Sequence, residues 1–481
     1  MNLPVLLATL QCLYLCIVHC YQQFQHQQPF IAPYDKADSA DNLNGVQTFK
    51  LKSVYHHASV SGPIPGLFRR LDVPPMHASS EQDTFQIRSK LGTLQTAHDP
   101  RRMYELYKYD GAQGERLSVS SAVAKNTAFF NIQWKQDLMP DISHRPSVLA
   151  LAKMTNNAYY EKCNETGWYD LGTPWNLNNS FGWEEDGIRG HIFGNQDNSL
   201  LVISFKGTSA GLWSGGPTGD KDKINDNLLF SCCCARISRA WTPVCDCYHG
   251  NDYLCESSCL EQAIAKKEFY YDHAMEIYKE VSDRYPNATI WLTGHSLGGV
   301  LASLVGQTFL VPTVTFETPP DRLASRRLHL PHPPGVEMPL WHFGHTADPI
   351  FIGACVGPSS SCWYGGFAME SKCHTGKLCT WDTVNDKGWR VDIRSHRIQD
   401  VIEYILKEEH AQEFPLPDCR PESNACDECV LWEFVDKRDD PPPSSSSSST
   451  PSSRGMSSTT TSTCIPEPPS DPWDMYIPHN T

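Results

Sequence analysis

NATIWLTGHSLGGVLASLVGQTFL, residues 287–310, runs from a β-rich apolar segment through a Gly-His-Ser-Leu-Gly-Gly turn into an apolar helical segment. A strand, a tight turn and a helix in that order, with G-x-S-x-G at the turn, hold a serine in a strained and exposed position. The glycines at 294 and 298 have a steric reason, because side chains two residues either side of the serine would meet neighbouring backbone. The helix that follows points the positive end of its dipole at the turn. Ser296 is therefore the expected nucleophile, and the backbone N–H of Leu297 an expected donor to an oxyanion.

The segments on either side fit one sheet. Ser199–Lys206 (SLLVISFK) is short, β-branched and apolar, and ends at Gly207, as a buried parallel strand does on entering a turn. Ser147–Tyr160 reads as an amphipathic helix with Ser147 as its cap, and Leu260–Tyr285 as one helix with a single buried face. Downstream, Val311–Phe316 and Leu340–Gly344 read as strands, and Ile398 to Leu406 marks a late helix. Helices alternating with buried strands predict an α/β fold whose mostly parallel central sheet is covered on both faces.

A serine hydroxyl needs a base to take its proton, and the base needs an orienting acid. In the α/β-hydrolase fold the chain order is serine, acid, histidine. Asp348, in Gly344-His-Thr-Ala-Asp-Pro-Ile350, lies just past a predicted strand, where Pro349 favours a loop. Asp321 is the rival acid, but it follows Ser296 too closely. His396 immediately precedes the late helix and is the expected base; His342, His345 and His374 are its rivals. Thr208, after the strand that ends at Lys206, is a second candidate for the oxyanion site. A serine triad needs neither cofactor nor metal, and none is expected.

The remainder of the 481 residues bounds compartment and partners. A net charge of −15 argues against nucleic acid. Residues 1–20 carry no Asp, Glu, Lys or Arg and read as a signal peptide or a single-pass signal-anchor. Residues 21–50 form a polar linker, 51–144 an accessory N-terminal region, and 145–435 the catalytic domain. Within that domain 211–259 is a Cys-rich insertion, where Trp213, Leu228, Leu229, Phe230 and Trp241 are candidates for a lid or lipid-facing element. Residues 436–481 form a Ser/Thr/Pro-rich tail that cannot build a core and is expected to be disordered. Asn164, Asn178 and Asn287 head glycosylation tripeptides. The clustered cysteines read as a disulfide framework of open connectivity, with a zinc cluster around 232–259 the weaker alternative.

Phe-Lys-Gly-Thr (205–208), Gly-His-Ser-Leu-Gly-Gly (294–299), the Asp348 loop and His396, in that order, resemble the fungal class 3 lipases. Phe343–Cys355, Cys362-Trp-Tyr-Gly-Gly366, Cys373-His-Thr-Gly-Lys377 and Gly388-Trp389 are similar to the autophagy-related vacuolar lipases of fungi. That resemblance implies a type II membrane glycoprotein carried through multivesicular bodies to the vacuole, where it hydrolyses membrane lipids and breaks down autophagic bodies. It also implies Ser296, Asp348 and His396 as the triad and Thr208 at the oxyanion. The expected partner is membrane lipid; whether phosphoinositides bind is open. Two other readings remain: a secreted esterase for soluble or cell-wall esters, and an inert lipid-binding scaffold.

Overall fold

The computed structural model describes residues 45–59, 64–73, 85–116, 131–160, 167–169, 187–207, 219–236, 243–250, 253–332, 337–357 and 360–435. Their centre is an eleven-stranded sheet. In chain order the strands are β1 (Val46–His57), β2 (Phe68–Asp72), β3 (Phe85–Ala97), β4 (Ile132–Pro140), β5 (Ile188–Gly194), β6 (Leu200–Phe205), β7 (Thr289–His295), β8 (Thr313–Phe316), β9 (Leu340–His345), β10 (Lys377–Trp381) and β11 (Arg420–Pro421). Across the sheet the order is β11-β10-β9-β8-β7-β6-β5-β1-β3-β4, with β2 on β1. Strands β6 to β10 run parallel, each adding on the same side of the one before. The rest of the sheet pairs antiparallel.

Among the helices are α1 (Pro100–Tyr107), α2 (Arg145–Asn157), α3 (Gly219–Phe230), α4 (Ser257–Ala265), α5 (Tyr270–Arg284), α6 (Leu297–Phe309) and α7 (Ile398–Val401), which continues as a π-turn over Ile402–Leu406. Strand β6 shows why the sheet is covered twice. Leu201, Ile203 and Phe205 pack with α5 and α6, while Leu200 and Val202 pack on the opposite face with α2 and the late helix. Burying a side chain of that size contributes roughly 1.5–3 kcal/mol, so a strand apolar on both faces is held at the centre of a sheet and not at its edge.

Several elements differ from the sequence reading. Residues 51–144 do not stand apart: β1 pairs with β5, and β3 and β4 extend the sheet beyond it. Leu260–Tyr285 is broken between α4 and α5, because the Asp272 carboxylate accepts from the Phe269 N–H (2.8 Å) and binds the buried Arg116, starting a new helix. Ser147 caps nothing. Helix α2 starts at Arg145 with Pro146 in its first turn, and the Ser147 hydroxyl instead accepts from the Arg88 N–H of β3 at 2.7 Å.

The Cys-rich insertion is stapled into the core. Cys232–Cys429, Cys233–Cys255, Cys234–Cys245 and Cys247–Cys259 are disulfides, so these sulfurs are not thiolates available to zinc. Three further bridges, Cys355–Cys362, Cys373–Cys426 and Cys379–Cys419, fasten the segments after β9. Leu228, Leu229 and Phe230 are buried in the core and face no lipid. Trp213 and Trp241 lie outside the described residues, as do residues 1–20 and 436–481, Asn164 and Asn178. Asn287 is exposed, in the turn before β7. Among the described residues no helix is long and apolar enough to cross a membrane.

Candidate active site

Ser296 sits where β7 becomes α6, at φ 56° and ψ −132°, in a region that non-glycine residues rarely enter. Such strain persists only when the surroundings over-determine it, and here close backbone packing does so. A Cβ on Gly298 would run into the backbone of Phe205–Gly207, 2.6 Å from the Lys206 carbonyl carbon and 2.7 Å from the Gly207 nitrogen. On Gly294 it would lie 2.7 Å from the Gly299 nitrogen. The loop after β6 is thus pressed against the first turn of the helix. The N–H of Leu297 is in that turn and has no intrahelical carbonyl to bond.

The three residues chosen from motif and chain order are brought together from the ends of three elements. Asp348 lies in the loop after β9, and His396 ends the short 3₁₀ turn Ile393–His396 before α7. His396 Nε2 lies 2.9 Å from Ser296 Oγ, and His396 Nδ1 lies 2.7 Å from Asp348 Oδ2. The other oxygen of Asp348 accepts from the Ile350 N–H at 2.9 Å. Asp348 is fully buried, whereas Ser296 and His396 each keep 8% of their surface open. Burial alone would raise the Asp348 pKa, but the charge and hydrogen bond of His396, with Glu317 and His345, hold it below the usual carboxylate range.

The rivals are occupied elsewhere. Asp321 is buried in its own polar cluster, accepting from the Thr375 N–H (2.8 Å), the Thr375 hydroxyl (2.6 Å) and Ser303. His342 bonds Thr315, and His374 bonds the carbonyl of Thr318. His345 is close to the triad, but its Nε2 lies 3.2 Å from the Ser395 carbonyl. Thr208 lies outside the described residues; Gly207 before it is buried beside the elbow.

Sequence reasoning passed over two residues. His295 Nε2 reaches the backbone carbonyl of His396 (2.7 Å), and its Nδ1 takes the Tyr159 hydroxyl (2.8 Å). Burial, then the neighbouring His396, pushes its pKa down to about 3, so it stays neutral and holds the base by its backbone. Its place inside the turn motif was the available signal; Tyr159 offered none.

The triad opens on a cavity of about 430 Å³. Pro319, Ile350, Phe367, Met369, Ile393 and Ile398 supply apolar wall. Arg394 and Arg397, with side chains 84% and 67% exposed, stand at its edge and pair with Asp392, just before the 3₁₀ turn, and Asp400 of α7. A strained serine bonded to a histidine, itself held by a buried carboxylate beside an apolar cleft, can perform acyl transfer on an ester with a hydrocarbon chain.

Known proteins agree with that chemistry. The family described as "Lipase (class 3)" matches residues 237–318. Proteins named "Putative lipase ATG15" match far more of the chain. The one from Candida glabrata is 45% identical over 74% of this chain and 69% of its own. The Saccharomyces cerevisiae protein is 42% identical over 82% of this chain and 80% of its own. The Cryptococcus neoformans protein is 53% identical over 57% of this chain and 54% of its own. Among solved structures, the Lip2 lipase of Yarrowia lipolytica is 17% identical, covering 48% of this chain and 77% of that one at a TM-score of 0.25. A likeness so loose adds nothing to the sheet order above. On the breadth of the sequence matches, the chain belongs to the ATG15 family of class 3 lipases.

Proposed function

We propose that the chain hydrolyses carboxylic ester bonds of membrane glycerolipids, with Ser296 as nucleophile, His396 as base and Asp348 as orienting acid. The observation that carries this reading is the pair of hydrogen bonds from Ser296 to His396 to Asp348, opening on an apolar cavity. His396 Nε2 takes the hydroxyl proton as Ser296 Oγ attacks the ester carbonyl. Negative charge gathers on the carbonyl oxygen, where the Leu297 N–H donates, with Thr208 the proposed second contributor. The imidazolium then protonates the departing alcohol, and water repeats the sequence to release the fatty acid. Asp348 keeps the ring oriented and supports its positive charge throughout.

The apolar wall suits an acyl chain. The proposed substrates are phospholipid in a bilayer, with triacylglycerol a second. In our reading residues 1–20 hold the protein to membranes of the secretory pathway as a single-pass type II anchor. It is carried through multivesicular bodies to the vacuole, where the exposed lipase domain lyses autophagic bodies at acidic pH. Asn287, and Asn164 and Asn178 with it, are the proposed glycan acceptors.

The test compares full-length wild type with Ser296→Ala on phospholipid vesicles, triacylglycerol emulsion and a short soluble ester, following fatty acid release. Release from vesicles by the wild type alone supports the proposal. Turnover of the soluble ester only would favour a secreted esterase. Silence on all three from folded protein would favour a lipid-binding scaffold.

A further inference from the structure

Tyr159 lies two residues past the end of α2, with its N–H donating to the Asn156 carbonyl at 3.0 Å. Its hydroxyl sits between the loop after β6 and the elbow. A side chain on Gly207 would overlap both that hydroxyl and the His295 carbonyl, so the glycine leaves the space that the phenol fills. The hydroxyl is 2.8 Å from His295 Nδ1 and 3.2 Å from the His295 carbonyl oxygen. Its ring stands edge-on to the His295 imidazole, at 5.7 Å and 69°. The buried Lys206 places its ammonium 5.8 Å from the phenol centroid and donates to the Gly207 carbonyl at 2.9 Å. Loop, elbow and the end of α2 therefore meet at one side chain.

The hydrogen bonds assign the protons. His295 Nε2 lies 2.7 Å from the His396 carbonyl oxygen, which can only accept, so Nε2 carries the hydrogen. Burial favours the neutral ring, and a neutral imidazole has a single N–H, so Nδ1 is an acceptor. The Tyr159 O–H is the donor that faces it. Donation thus runs one way, from Tyr159 to His295 to the backbone of His396, and the first bond fixes the tautomer that the second needs. With the proton on Nδ1 instead, Nε2 and the His396 carbonyl would be two acceptors face to face in a buried place. His396 Nε2 has to stay in reach of Ser296 Oγ, 2.9 Å away, so a loosened backbone at His396 carries the base off the nucleophile.

Resting on the triad reading above, we propose that Tyr159 is a positioning residue for ester hydrolysis: its hydroxyl holds the His295 proton on Nε2 and so anchors the backbone that carries His396. It exchanges no proton with the substrate and acts through His295. The same hydroxyl seats the Gly207 loop against the elbow, so one group sets both sides of the nucleophile.

The test uses full-length protein, wild type beside Tyr159→Phe, His295→Phe and the double variant. Each replacement keeps an aromatic ring and removes the hydrogen-bonding atoms. On a soluble short-chain ester, Tyr159→Phe should lower kcat roughly ten- to a hundredfold with KM unchanged. The double variant should be no slower than His295→Phe alone, because the hydroxyl acts through that imidazole. Histidine ¹⁵N NMR, with His295 assigned as the signal that His295→Phe lacks, should show Nε2 protonated in the wild type. In Tyr159→Phe its Nδ1 signal should move towards that of an acceptor without a donor. A folded Tyr159→Phe protein within about twofold of wild-type kcat overturns the proposal, as do losses that multiply in the double variant. A wild-type His295 protonated on Nδ1, or an Nδ1 signal unmoved in Tyr159→Phe, overturns it as well. The spectra do not depend on turnover, and failure of the triad reading shows separately, as hydrolysis that survives Ser296→Ala.

Discussion

Replacing Asp348 by Asn separates orientation from shape, because the two side chains are isosteric. One Asp348 oxygen takes the Ile350 N–H at 2.9 Å and the other faces His396 Nδ1 at 2.7 Å. An asparagine that keeps its carbonyl on Ile350 must turn its NH₂ towards His396, so Nδ1 becomes an acceptor. The ring proton then moves to Nε2 and points at Ser296 Oγ, 2.9 Å away. An imidazole in that tautomer cannot take the serine proton. Flipping the amide repairs this only by setting its NH₂ against the Ile350 N–H, donor to donor, in a fully buried site. Loss of the base in this manner costs about 10⁴-fold in kcat, equivalent to about 5 kcal/mol of barrier. The assay is kcat/KM on a soluble short-chain ester, with circular dichroism and Tm establishing that the variant is folded. A folded Asp348→Asn protein that retains more than about a tenth of wild-type activity would refute the reasoning.

Three other outcomes follow from the same geometry. Asp321→Asn should reverse the pattern: the folded protein stays active, but stability falls by about 2–3 kcal/mol, since a buried charged acceptor of several hydrogen bonds is lost. Burial opposes ionisation of Asp321, yet His342, His374 and its hydrogen bonds hold its pKa below the ordinary aspartate value of 3.8. Its stabilising contribution is therefore present above that value and lost as pH falls through the lower folded pKa, so urea midpoints measured below about pH 4 should differ less between wild type and Asp321→Asn. Gly298→Ala forces backbone against backbone at the loop after β6 and should cost about 1–3 kcal/mol together with a drop in kcat, read from Tm and ester turnover. Removing Cys232–Cys429, 197 residues apart, should lower stability by about 5 kcal/mol on chain entropy. The figure for Cys355–Cys362, 7 apart, is about 2 kcal/mol. Equal Tm losses from the two Cys→Ser pairs would contradict that ranking.

The parts of this architecture legible in the sequence are those fixed by short-range constraints. A strand buried on both faces, such as β6, is a run of apolar residues, and an elbow needs glycines where backbone meets backbone. Asp348 and His396 were reached through chain order and their places at element ends. The N-terminal strands were not recognised because β1 changes character along its length: it alternates in exposure at first, then is buried on both faces from Val54 onward. The break before α5 was hidden because hydrophobic period persists across it, while the group that interrupts the helix is the Asp272 side chain, held by Arg116 from far away in sequence. Tyr159 had no signature, since it matters through contacts with His295 that form only when the end of α2 is folded against the elbow.

The most direct test of the central claim is covalent capture of the nucleophile. Full-length wild type, Ser296→Ala and Asp348→Asn would be treated with a long-chain alkyl fluorophosphonate, and adducts located by peptide mass spectrometry. Rapid one-to-one labelling of Ser296 in the wild type, abolished in Ser296→Ala and greatly slowed in Asp348→Asn, is the result this account predicts. No adduct on folded wild type, an adduct on another serine such as Ser303 or Ser395, or undiminished labelling in Asp348→Asn would contradict it.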